Sequence, residues 1–168
     1  MPHEWIDKAA LRAEICKQLE QELAVIIQAA KSAHEAATHE ESKAEDSHDT
    51  RGLESSYLAG AQAHRASELQ QILHYYRQME PKSFGPTDKI AVTAVVELES
   101  RNRKTLFFIA PQGGGLKITF ASQGRQVTVQ VITPHSPVGE ELIDKRVGDS
   151  VEVDSKGMTI EYTIIAIA

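Results

Sequence analysis

Six carboxylates crowd one short stretch of this chain: Glu40, Glu41, Glu45, Asp46, Asp49 and Glu54 fall within residues 38–57, against two bases, Lys43 and Arg51. Carboxylates in pairs can hold a hard divalent cation. Mg²⁺ commonly binds through one or two of them, keeps several waters and shares its remaining positions with phosphate oxygens. An ion held this way can activate water for attack on a phosphodiester. Asp49 and Glu54, which flank the expected start of a helix, are the candidate pair, with Glu45 and Asp46 as reserve ligands. Two carboxylates alone bind the ion weakly, so this chemistry requires a partner that supplies the other ligands. The same residue types also terminate helices. Thr38-His39-Glu40-Glu41 and Ser42-Lys43-Ala44-Glu45 fit the capping-box pattern, and Asp49 or Thr50 suits the position before a helix. His34, His39, His48 and His64 read as surface residues, because no H-E-x-x-H is present and His34 and His39, five apart, do not share a helical face.

The stretch is flanked by two helical patterns. Leu11, Ile15, Leu19, Leu23, Ile26, Ala30, Ala33 and Ala37 recur at intervals of three and four, with charged and amide side chains on the other faces. This pattern, residues 5–37, spans ~50 Å as a helix. It resumes with Leu58, Ala59, Ala63, Ala66, Leu69, Ile72, Leu73, Tyr76 and Met79 and stops at Pro81. Two such arms on a short connection predict an antiparallel coiled coil over residues 1–80, with its acidic tip at about 38–57. Toward the tip the seam is built of Ala and Gly, which either keeps the hairpin slim enough for a narrow channel or reflects an Ala-rich coiled coil without purpose in its width.

Residues 81–89 form a breaker-rich linker, and residues 90–168 a second domain. Segments 90–98, 105–109, 116–120, 126–132 and 159–165 read as strands from their β-branched and aromatic content. Asp154-Ser155-Lys156-Gly157 and Gly113-Gly114-Gly115 are expected to be hairpin turns, and Ser136-Pro137 to cap a short helix ending near Ile143. The fold class is therefore α+β: a helical hairpin followed by an antiparallel sheet with one short helix. No P-loop and no nucleophile–base pair is evident, which argues against an autonomous enzyme.

The net charge of −6 belongs to residues 1–80, where fourteen acids face eight bases; residues 81–168 hold ten of each. An acidic chain is a poor sequence-independent binder of nucleic acid. A single cysteine, Cys16, leaves no intrachain disulfide and fits a reducing cytoplasm. No signal-peptide pattern and no apolar run of membrane-spanning length is present, so a soluble, cytoplasmic protein with no membrane partner is expected.

The segment Ser136-Pro137-Val138-Gly139-Glu140-Glu141-Leu142-Ile143-Asp144-Lys145-Arg146-Val147-Gly148-Asp149-Ser150-Val151-Glu152-Val153, followed by Gly157 and Glu161-Tyr162-Thr163-Ile164-Ile165, closely resembles the end of the bacterial Gre transcript cleavage factors, GreA/GreB. The order of coiled coil and C-terminal domain matches them over nearly the whole chain. The resemblance implies an FKBP-like C-terminal domain docked on bacterial RNA polymerase at the rim of its secondary channel, with the coiled coil inside the channel. Tip carboxylates would then help to place a Mg²⁺ shared with the polymerase, held by Asp49 and Glu54 with Glu45 and Asp46, so that backtracked RNA is hydrolysed at its 3′ end. Nascent RNA is thus met only through the polymerase, and a monomer is expected. Gre factors carry an Asp and a Glu three residues apart before a Tyr that leads into the second helix. Here the matching positions fall near Thr50 and Leu53, and the nearest acids, Asp49 and Glu54, stand five apart. A non-catalytic regulator that occupies the channel and competes with cleavage factors is the alternative. Prolyl isomerase activity is not expected, since fold does not imply function and Phe107, Phe108, Phe120 and Tyr162 fit sheet core.

Overall fold

The computed structural model describes residues 5–38 and 58–168, which form two compact units: Met1–Glu14 with Met79–Ala168, and Ile15–Gln78. Helix α1, Lys8–Thr38, begins in the first unit and continues into the second. Asp7 caps it, accepting a hydrogen bond on Oδ1 from Ala10 N at 2.9 Å.

In the unit Ile15–Gln78, α1 is joined by α2, Ala61–Gln78. The buried residues Ile15, Leu19 and Ala30 of α1 and Ala66, Leu69, Leu73 and Tyr76 of α2 follow the three-and-four spacing of the sequence. Arg65 bonds Glu22 at 2.7 Å and Arg77 bonds Glu20 at 2.8 Å, so the later residue of α2 meets the earlier residue of α1, the order expected of helices running in opposite directions. Burial does not follow the whole seam: Ala33 and Ala37 are exposed, and His34 is partly buried. An alanine methyl gains little from burial, so the Ala-rich end fixes less firmly which face turns inward.

The other unit is built on six strands: β1 Val95–Ser100, β2 Arg103–Ile109, β3 Lys117–Ser122, β4 Arg125–Ile132, β5 Ser150–Ser155 and β6 Met158–Ile167, with a short helix α3, Pro137–Leu142, between β4 and β5. Their order in the sheet is β3-β4-β2-β1-β6-β5. Three tight hairpins join neighbours. Arg101 and Asn102, Gln123 and Gly124, and Lys156 and Gly157 all have positive φ, the pairing that a two-residue turn needs to match strand twist. The sheet is mixed rather than antiparallel throughout, because β2 pairs with β4 in parallel. Gly113-Gly114-Gly115 is consequently not a hairpin turn: β4 lies between β2 and β3, and the glycines belong to the crossover that carries the chain past it. β5, at the edge, is a strand beyond the five expected.

The two faces of the sheet are covered differently. Val96, Leu98, Phe107, Ile109, Val151 and Ile164 form one core with Leu142 of α3. On the other face lie Val95, Phe108, Ile118, Phe120, Val129 and Val131, all buried. The beginning of the chain is tied to this unit: Asp7 N donates to Ser122 Oγ at 2.8 Å, Trp5 Nε1 donates to the Ile167 carbonyl at 3.3 Å, and Ile6 and Leu11 are buried. Lys8 is buried as well. Its Nζ donates to the carbonyls of Thr93, at 2.7 Å, and Lys82, and lies 4.7 Å from the centre of the Phe84 ring.

Candidate functional site

Asp49, Glu54, Glu45 and Asp46, the candidate Mg²⁺ ligands, lie outside the described residues. So do Glu40, Glu41, His39 and His48. Among the described residues no group of three or more His, Cys, Asp or Glu side chains could hold a metal ion. His34 and His64 belong to α1 and α2, and His64 meets Glu68 at 3.8 Å one turn along its own helix.

The described part of α1 ends at Thr38 and that of α2 begins at Ala61, so both helices lead to the acidic stretch. Gly60, with φ 52°, precedes α2 in a left-handed conformation that glycine adopts without a Cβ penalty. Tyr76 packs edge-on against Tyr75, with ring centres 5.2 Å apart, and its burial pushes the phenol's pKa well above the usual tyrosine range, with Tyr75 and Cys16 adding to the shift. The Arg65 guanidinium is raised above its ordinary value by its hydrogen bond to Glu22.

In the sheet unit, the segment 136–153 owes its residue types to geometry. Ser136 caps α3: its Oγ accepts from Gly139 N at 3.0 Å and donates to the Thr133 carbonyl at 2.7 Å. Pro137 follows in the first turn, where no N–H is needed. Gly139 has no freedom to be anything larger, because a Cβ there would stand 2.0 Å from the Thr133 carbonyl oxygen. After α3 the backbone is locked to residue 90, Asp144 N donating to the Ile90 carbonyl at 2.9 Å and Ile90 N to the Lys145 carbonyl at 2.8 Å. Gly148, at φ 94°, supplies the left-handed turn into β5, while Asp149 Oδ2 accepts from Arg146 N at 2.8 Å. These are requirements for building the domain, not reactive groups.

Sequence reasoning missed the N-terminal attachment to the sheet unit. Asp7 followed by Lys-Ala-Ala is a legible helix start, but nothing local marks Lys8 as buried, since its partners at 82 and 93 are far along the chain.

This architecture defines a two-part α+β protein: paired helices leading to an acidic stretch, and a mixed-sheet domain whose last third carries a sequence dictated by its turns and caps. Residues 116–168 match the family model described as transcription elongation factor, GreA/GreB, C-terminal. That match covers the C-terminal third of the chain, which is thus similar to the C-terminal domain of these factors. Among solved structures it is similar to GreA factor homolog 1 (Gfh1) of Thermus thermophilus, at 20% identity over 91% of this chain and 94% of that one, with a TM-score of 0.38. Gfh1 of Thermus aquaticus is 22% identical over 96% of each chain, with a TM-score of 0.37. The GreA/GreB elongation factor of Nitrosomonas europaea is 16% identical over 60% of this chain and 78% of that one, also with a TM-score of 0.37. No curated protein matches. No helix among the described residues is long and apolar enough to cross a membrane.

Proposed function

We propose that the chain binds bacterial RNA polymerase through its secondary channel and stimulates the polymerase's own cleavage of backtracked RNA. The observation that carries this reading is the family match over residues 116–168, in a chain whose paired helices lead to six clustered acids. The sheet domain docks on the polymerase, and the helices carry the stretch 38–57 into the channel as an antiparallel coiled coil. Asp49 and Glu54, with Glu45 and Asp46 in reserve, would hold a Mg²⁺ shared with the polymerase, an ion whose chemistry is the activation of water for phosphodiester hydrolysis. The chain's own part is to present oxygen ligands for the ion and to stay in place by docking elsewhere. It acts in the cytoplasm, as a monomer. Replacing Asp49 by Asn and Glu54 by Gln together removes both charges at nearly constant shape. The expected result is loss of stimulated cleavage with polymerase binding retained; unchanged cleavage would remove Asp49 and Glu54 from the reaction.

A second reading rests on the five-residue spacing of that pair. Carboxylates displaced from the three-residue spacing of the cleavage factors hold an ion differently, and the same stretch then serves as a plug that alters initiation or pausing without cleavage. Competition with a cleavage factor for polymerase, with no 3′ fragments produced, distinguishes this reading.

A further inference from the structure

The core face of the sheet is roofed at one end only. Helix α3 has 6 residues, about 9 Å of helix, whereas β6 has 10, about 33 Å of strand. Leu142 of α3 covers the region of Leu98 and Ile164. Beyond it the same face continues through Tyr162, Ile160 and Met158 of β6 and Thr105 and Arg103 of β2, because alternate residues of a strand and directly paired residues share a face. There an open groove of about 550 Å³ lies beside the β1–β2 turn.

Its lining has one chemical character. Met158, 65% exposed, forms the apolar floor with Ile160 and the ring of Tyr162. Arg101 and Arg103, both exposed, stand at the rim, and among the described residues no Asp or Glu lines the groove. Glu99 and Glu161 line an adjoining cleft that shares Ser100, Arg101, Thr159 and Ile160 with the groove, and Asp154 Oδ1 accepts from Thr159 Oγ1 at 2.6 Å. Arg101 sits in the tight β1–β2 turn, with φ 50° there and 60° at Asn102, so its backbone is held before any ligand arrives.

We propose that this groove is a docking site for an acidic protein segment that carries an apolar side chain. The apolar side chain lies on Met158, Ile160 and Tyr162, and flanking carboxylates meet the guanidinium groups of Arg101 and Arg103. Charge complementarity selects this occupant. Guanidinium forks bind carboxylates in a bidentate fashion, and two of them stand beside an apolar floor in a half of the chain, residues 81–168, whose acidic and basic residues balance. Repulsion from the acidic residues 1–80 and attraction to the two arginines together favour this position for an acidic segment. A phosphate backbone would satisfy the arginines but leave Met158 and Ile160 uncovered. The surface belongs to the sheet unit and does not depend on the cleavage reading.

The test is amide NMR on the ¹⁵N-labelled full chain, titrated with an end-blocked peptide of repeating Glu-Asp-Leu, with its Lys-Lys-Leu counterpart and with oligouridylate. The acidic peptide is expected to shift the amides of residues 100–105 and 158–162, saturably. Arg101→Glu with Arg103→Glu, or Met158→Ser alone, is expected to weaken it by about tenfold or more, whereas Arg101→Lys with Arg103→Lys retains most of the affinity. All are exposed positions, and peak dispersion reports the fold; should the double Glu variant unfold, Arg103→Gln carries the test. No shift of these amides at millimolar peptide, an equal response to the lysine peptide, the same shifts with oligouridylate, or binding unmoved by the charge reversals would each overturn the proposal.

Discussion

The two units solve the same burial problem with unequal means. In Ile15–Gln78, two helices meet along one seam, and its large buried side chains, Ile15, Leu19, Leu69, Leu73 and Tyr76, sit toward one end while Ala30 and Ala66 mark the other. In the sheet unit both faces carry buried side chains, and strands, turns and the residue-90 lock fix backbone that side chains alone would leave free. A narrow seam tolerates change at exposed positions, whereas a domain built on close backbone approaches does not. The match to the family model falls in the sheet unit, where Ser136, Gly139 and Gly148 each answer a specific geometric demand.

The largest break expected on the helical side is Leu69→Ala. This side chain is fully buried in the seam, and its truncation should cost about 3 kcal/mol through lost transfer energy and a residual cavity. Chemical denaturation followed by hydrogen exchange should show the loss in α2 amides, with strand protection retained. On the sheet side, Gly139→Ala forces a methyl against the Thr133 carbonyl and should cost about 2 kcal/mol. Its exchange signature should lie in α3 and β5 rather than in α1 and α2; uniform loss in both experiments would erase the contrast between the units.

A pH titration sharpens it further. Burial raises the Tyr76 phenol above the ordinary tyrosine value of 10.0, so the neutral form is the one the fold favours. Its contribution is therefore constant below pH 10 and is lost as pH rises through and beyond that value, when the unfolded chain ionises first. Helical circular dichroism should melt at lower temperature above this pH, and Tyr76→Phe should blunt the effect. The smallest change is Glu22→Gln, which breaks the half-exposed pair with Arg65 and should cost less than about 1 kcal/mol, a loss that shrinks further in high salt.

Much of this was legible in the sequence, for identifiable reasons. The three-and-four spacing of Leu11 to Tyr76 marks helices, and β-branched runs such as residues 126–132 mark strands, because both signals are local. The parallel β2–β4 pairing is a property of two distant segments, and alternation reports which side chains share a face without saying which strand lies beside which. The Gly113-Gly114-Gly115 crossover was misread for that reason: glycines announce a turn but not its destination. The Lys8 contacts likewise depend on residues 82 and 93. At the acidic stretch, residue types point to cation chemistry, but the separation of Asp49 and Glu54 in space is set by how their connection folds, and they lie outside the described residues.

The central claim concerns that stretch, and one measurement addresses it directly. Bacterial RNA polymerase halted in a backtracked complex with 3′-labelled RNA is incubated with Mg²⁺, with and without this protein. The account predicts release of short 3′ fragments at a rate that rises with protein concentration. Bound protein that displaces a known channel factor yet releases no fragments would contradict it.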